Sequence, residues 1–145
     1  DFIPDALSNL CIQKKFHGVK QRPGKPFCFG VGKGKTVLAL PGNPVSTYMC
    51  FYRYIKPWLM KSLGVHQNGL SAQLAKDFTF APPLTHFLQV LVKVQDGKLI
   101  AIPDAGKGSG DFANLSNVTG FLELPANQND FSAGEVFPYF PFRPF

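Results

Sequence analysis

The 145 residues predict an α/β first half over residues 1–68 and an all-β second half over residues 69–145, folded as a small barrel. Three observations lead there. Before residue 64, apolar positions recur first at helical and then at strand spacing, and the half closes on a long aromatic helix signal. After residue 69, five short apolar runs follow one another between turn residues, the pattern of a small closed or half-closed barrel. The charge divides at the same place: residues 1–68 carry ten Lys and Arg against two acids, and residues 69–145 carry five against seven.

Each element has a local reason. Pro4 suits an early helical position, and Ile3, Ala6, Leu7, Leu10 and Cys11 recur at helical spacing, so a helix is expected over residues 3–13. Residues 16–21 read as a weak strand cut off by Arg22-Pro23-Gly24. Residues 27–31 and 36–40 read as two more strands, separated by the flexible Gly32-Lys33-Gly34-Lys35. Pro41-Gly42-Asn43-Pro44 then precedes a helix that runs to Leu63, with Pro44 near its start and Gly64 as its stop. Pro57 should kink or split that helix, because it lacks the amide that would bond back to Arg53. Residues 64–69, polar and bounded by glycines, read as a linker. Beyond them, strands are expected at 72–80, 87–94, 99–102, 120–124 and 135–140, with Asp96-Gly97 as a tight hairpin and one short helical turn over 111–118.

Composition bounds the function. With 45% hydrophobic and 17% charged residues the chain is globular rather than disordered or collagen-like. No apolar run approaches the ~18–20 residues of a membrane-spanning helix, and no signal-peptide pattern opens the chain, so no membrane partner is expected. Three cysteines without a Cys-x-x-Cys pair argue against a disulfide framework and favour a reducing, cytoplasmic setting. The start at Asp1 reads as that of a piece of a longer protein. The basic first half, net +8, would draw an anion. Nucleic acid is not the expected one, since Phe16, Phe27, Phe29 and Tyr48 fall in strands or beside a buried helix and are not spaced for base stacking. His17, His66 and His86 lack metal-ligand spacing.

Four segments are candidates for chemistry. Gly30-Val31-Gly32-Lys33-Gly34-Lys35-Thr36 imitates a phosphate loop but is one residue short, and a strand rather than a helix follows it, so it reads as a basic hairpin turn. Pro41-Gly42-Asn43-Pro44, with Ser46, has two readings: an anion-binding nest at a helix N-terminus, its amides turned inward by positive-φ residues, or simply a rigid strand-to-helix turn. Arg22 and Lys25 stand three apart on a stiff turn, either as an oxyanion clamp or as a solvated basic loop. Gly106-Lys107-Gly108-Ser109-Gly110 reads as a flexible inter-strand loop that a ligand can also approach. The Phe-rich tail from Phe137 reads as packing.

These motifs in this order resemble the C-terminal part of the MoeA/gephyrin family of molybdenum-insertion enzymes. The resemblance runs through Arg22-Pro23-Gly24-Lys25-Pro26-Phe27, Leu40-Pro41-Gly42-Asn43-Pro44-Val45-Ser46, Leu84-Thr85-His86-Phe87, the Gly106–Gly110 loop and Phe121-Leu122-Glu123-Leu124-Pro125, and so spans nearly the whole chain. It implies a partial MogA-like molybdopterin-binding α/β domain over 1–68 and a family-type C-terminal β-barrel domain over 69–145. It implies a reaction, the insertion of molybdate into adenylylated molybdopterin with Mg²⁺ assistance and release of AMP, in which the isolated piece is inactive or nearly so. By the same resemblance Asp1 and Arg22 are catalytic, and Asp1 holds the metal. Lys25, Pro41, Gly42, Asn43, Pro44, Ser46 and Ser109 line the molybdopterin pocket, and the full-length protein is a homodimer. Two positions depart from the family pattern: Arg22 stands where many relatives have Lys, and Gln89 where several place Arg. A gephyrin-type scaffold that holds peptide partners at the junction of the halves is the alternative.

Overall fold

The structure is a computed structural model that describes residues 2–104 and 113–144. The first helix, α1 (Ile3–Asn9), is shorter than expected. It stops because Cys11 takes a left-handed φ of 56°, from which its amide bonds to the Ser8 carbonyl and that of Ile12 to the Leu7 carbonyl. This is a Schellman ending, in which the apolar residue after the turn packs back onto the last helical turn; Leu7 and Ile12 share a buried cluster with Cys28.

Three strands follow as an antiparallel sheet in the order β1 (Gln13–His17), β3 (Cys28–Gly32), β4 (Lys35–Ala39). The β3–β4 hairpin turns through Lys33 and Gly34 at φ 52° and 70°, the paired left-handed geometry of a two-residue hairpin loop. The strand expected over 16–21 is divided: β1 ends at His17, and the two-residue β2 (Gln21–Arg22) leaves this sheet. It pairs instead in parallel with β7 (Thr85–Gln95) of the second half, Gln21 opposite Thr85 and Arg22 opposite His86.

The long helix expected to reach Leu63 is three segments: α2 (Pro44–Cys50), a π-helical turn (Phe51–Ile55) and α3 (Lys56–Ser62). The Lys56 amide reaches back five residues to the Phe51 carbonyl. Widening the ladder just before Pro57 accommodates a residue with no amide to give, so the helix continues where a break was the alternative. Gly64, at φ 73°, closes α3 with a second Schellman pair, Gly64 to Lys61 and Val65 to Met60.

The second half is a closed barrel. Strands β7, β8 (Lys98–Pro103), β5 (Leu70–Leu74), β11 (Val136–Pro141) and β9 (Gly120–Leu124) pair in that order, and β9 returns to β7. The strand expected over 72–80 breaks at Lys76 and Asp77 into β5 and the two-residue β6 (Phe78–Thr79), which pairs with β10 (Asp130–Phe131). Asp96 and Gly97, at φ 49° and 73°, make the expected hairpin. Ala113–Ser116 form one 3-10 turn, and the earlier part of the expected turn lies outside the described residues.

Period-two alternation divides β7 and β9 between two cores. Leu88, Val90, Val92, Leu122 and Leu124 fill the barrel with Tyr139 and Phe137. Phe87 and Phe121 face the other way and join Phe27, Val45, Met49 and Cys50 in a cluster drawn from both halves. Arg53, 2.9 Å from the Glu123 carboxylate, adds a charged tie across the same junction. The Phe-rich tail packs, as expected: Phe137 and Tyr139 are buried on β11.

Candidate functional site

The sheet register brings the two basic and glycine-rich candidates to one end of the first half. His17 pairs with Cys28 and Cys28 with Ala39, so the excursion over 18–27 and the turn over 40–44 leave the sheet side by side. The excursion is closed on itself by bonds from the Gly18 amide to the Phe27 carbonyl and from Val19 to Lys25.

Within it, Gln21 is the organising residue. Its side chain is buried, its Nε2 donates to the Gly24 carbonyl at 3.2 Å, and its Oε1 accepts from the Tyr54 hydroxyl. Gly24 holds φ 90° with no room for a side chain: a Cβ there would stand 2.8 Å from Gln21 Nε2 and 2.9 Å from Cys50 Sγ. The 22–26 turn is therefore seated on the far half of α2, with Arg22 and Lys25 exposed at its corners. Burial pushes the Tyr54 hydroxyl up to about 12, and likewise the Cys50 thiol, so both stay protonated and neither is a ready nucleophile.

The second candidate is a helix cap. Asn43 sits at φ −74°, ψ 126°, and its Oδ1 accepts from the Ser46 amide at 3.1 Å and from the Ser46 hydroxyl at 3.3 Å. Thr47 bonds back to the Asn43 and Pro41 carbonyls, and Pro44 occupies the first helical turn. Of the two readings open for this turn, the backbone takes that of the rigid strand-to-helix turn and not the nest of positive-φ residues: neither Gly42 nor Asn43 has a positive φ. Capping imposes this, because an N-cap must be extended for its side chain to reach the amide three residues on. Gly42 is nevertheless open towards the described residues, none of which comes within 4 Å of where a Cβ would lie. Pro41 is buried, Pro44 is exposed, and Ser46, only 5% exposed, reaches the turn through Asn43.

Asp1 and Ser109, with the whole Gly106–Gly110 loop, lie outside the described residues. The residues on either side of that loop are tied together: Asn114 Nδ2 donates to the Asp104 carbonyl at 2.8 Å and to Gln89 Oε1 at 3.1 Å. Gln89 is thus a buried neutral partner. Among the described residues no group of three or more His, Cys, Asp or Glu side chains gathers as an all-protein metal site would. No described helix is long and apolar enough to cross a membrane.

Sequence reasoning missed Gln21, Tyr54, Phe80 and His86, which surround Arg22 or its turn. Only the Arg22-to-His86 strand pairing brings the last two there, and nothing local in the sequence announces it. An open groove of about 880 Å³ between the halves, lined by Tyr52, Arg53, Lys56, Met60, His66 and Phe140 among others, contains none of the expected site residues that are described.

A family model described as a probable molybdopterin binding domain matches residues 1–61, and one described as the MoeA C-terminal region (domain IV) matches residues 71–142. A molybdopterin molybdenumtransferase of Synechocystis is 43% identical over 143 residues, covering 97% of this chain and 34% of that protein. One from Bacillus subtilis is 30% identical over 140 residues, covering 94% and 32%. The chain thus spans about a third of the length of the curated relatives it matches. Among solved structures, a molybdopterin biosynthesis MoeA protein from Pyrococcus horikosii superposes with a TM-score of 0.74 at 30% identity, over 97% of this chain and 35% of that one. A molybdenum cofactor biosynthesis protein from Pyrococcus furiosus gives 0.70 at 26%, over 90% and 46%. With these matches running through both halves and through the Arg22 and Asn43 turns alike, the chain belongs to the MoeA family.

Proposed function

We propose that this chain is the C-terminal part of a molybdopterin molybdenumtransferase, which inserts molybdate into adenylylated molybdopterin and releases AMP. Its α/β part ends near residue 68 and its barrel domain begins near 69. The observation that carries the reading is the shared sheet end, where two exposed cations and an open, capped helix start lie on neighbouring loops. An oxyanion substrate with a phosphate needs positive charge and amide donors held without much reorganisation. Arg22 and Lys25 supply the charge, Arg22 as a planar fork that engages two oxygens at once. Gly42 and Pro44 leave the approach open, while Asn43, tied by Ser46, fixes the first turn of α2. Asp1 and Ser109 complete the site on the strength of the family resemblance, with Asp1 as the acid that holds Mg²⁺ in the full-length protein. The described residues assign the metal no step. The full-length enzyme works as a homodimer in the cytoplasm. The curated relatives are named as transferases, which favours this reading over a peptide-holding scaffold.

Calorimetric titration with molybdopterin tests the site. Replacing Arg22 or Lys25 by Ala should weaken binding roughly tenfold or more, the worth of about one charge-assisted hydrogen bond. In an intact transferase carrying residues 1–145 as its C-terminal third, insertion should fall with Arg22→Ala and Asp1→Ala. Undiminished insertion in those variants overturns the assignment.

A further inference from the structure

We infer that Phe80 and His86, both from the second half of the chain, are positioning residues that fix where the Arg22 guanidinium stands, so that the barrel sets the geometry of an anion site built on the other half. The inference rests on the role proposed for Arg22 and goes beyond it to what holds that side chain.

The basis is a ladder of flat groups. The Phe78 ring lies on the His86 imidazole with centroids 5.7 Å apart and planes 7° apart, and His86 lies on Phe80 at 4.1 Å and 8°. Arg22 Cζ stands over the Phe80 ring, 5.8 Å from its centroid. The backbone places the ladder: β2 runs parallel to the start of β7 with Arg22 opposite His86, and the Thr85 amide bonds to the Lys20 carbonyl at 3.1 Å. Phe80 itself is only 9% exposed, held in the barrel core, with its amide bonded to the Asn129 carbonyl at 2.8 Å.

Physics gives this arrangement a purpose. A solvent-exposed arginine samples many rotamers, and an anion that binds it must first order it. A cation over an aromatic face is partly ordered beforehand, at a gain of about 0.5–1 kcal/mol for an exposed pair. His86 fits a support for Phe80 better than a proton donor. Its Nδ1 is buried and finds no hydrogen-bond partner among the described residues. Burial first, and the Arg22 charge after it, pull its pKa down to about 4 against the opposing Arg22 backbone, so it adds no positive charge beside the guanidinium.

The test compares Phe80→Leu, Phe80→Tyr, His86→Ala and Arg22→Ala in the 145-residue chain. Arginine Nε–Hε NMR reads where Arg22 stands, and calorimetry with molybdopterin reads binding. Phe80→Leu keeps an apolar side chain but removes the ring. It should shift the Arg22 Hε resonance as the ring current vanishes and weaken binding about two- to fivefold. Phe80→Tyr should restore both readouts, which a general loss of stability would not allow. His86→Ala should move both in the direction of Phe80→Leu; should Phe80→Leu not fold, this variant and Phe80→Tyr carry the comparison. Weakened binding in Arg22→Ala with unchanged affinity and an unmoved Arg22 resonance in Phe80→Leu and His86→Ala overturns the inference alone. Unchanged binding in Arg22→Ala overturns the proposed site, and this inference with it.

Discussion

His86 carries a stability signature that a single titration reads. Unfolded, it protonates near its ordinary 6.5; folded, burial between Phe80 and Phe78 holds it near 4. Between those values the unfolded chain binds a proton that the folded chain refuses, so stability falls as pH drops through that window and is flat above it. The loss should reach about 3 kcal/mol by pH 4. Urea unfolding at pH 7, 5.5 and 4.5 measures it, with His86→Phe as the reference because a phenyl keeps the stack and cannot titrate. An equal slope in wild type and variant would assign the effect to other groups. The environment of His86 comes from Phe80 and Phe78, six and eight residues away, across a strand break that local patterning did not register.

At the scale of the element, α2 shows how much of a candidate site is local. Its first turn is written in Asn43, Pro44 and Ser46: Pro44 stands at the helix start, as expected, and Asn43 caps it through the Ser46 amide. Extended φ and ψ let Asn43 serve as a cap, whereas a nest needs left-handed residues. Asn43→Ala should cost about 1 kcal/mol in thermal or urea unfolding, and Asn43→Ser should recover most of it. Equal losses in the two variants would mean that the amide side chain does something other than cap. The same helix illustrates the limit of propensity rules. Pro57 announced a discontinuity, but only the register of carbonyls upstream decided that a π-helical turn would absorb it.

Across the whole molecule, the halves are fastened by a shared core rather than by the linker. Phe121, fully buried, faces Val45 and Met49 from the barrel's outer surface, while its neighbour Leu122 faces the barrel interior. Phe121→Ala should cost about 3–5 kcal/mol, and Leu122→Ala about 2–5. The two should differ in form. Phe121→Ala should separate unfolding into two transitions by calorimetry, because it removes the contact the halves share. Leu122→Ala should lower one cooperative transition. A single transition in both variants would show that β2 and the Arg53–Glu123 pair suffice to couple the halves.

The helices and the longer barrel strands, the hairpins at Lys33-Gly34 and Asp96-Gly97, the helix stop at Gly64 and the family were legible in the chain, because each depends on neighbours within a few residues or on motif strings, whereas the early start of β1 and the two-residue β6 and β10 were not. The destination of Gln21 and Arg22 was not. Two residues carry too little pattern to say which sheet they join, and their pairing with Thr85 and His86 is decided by long-range packing of both halves around Phe87 and Phe121. Local chemistry therefore named the cation, and only the tertiary fold chose the aromatic face on which it rests.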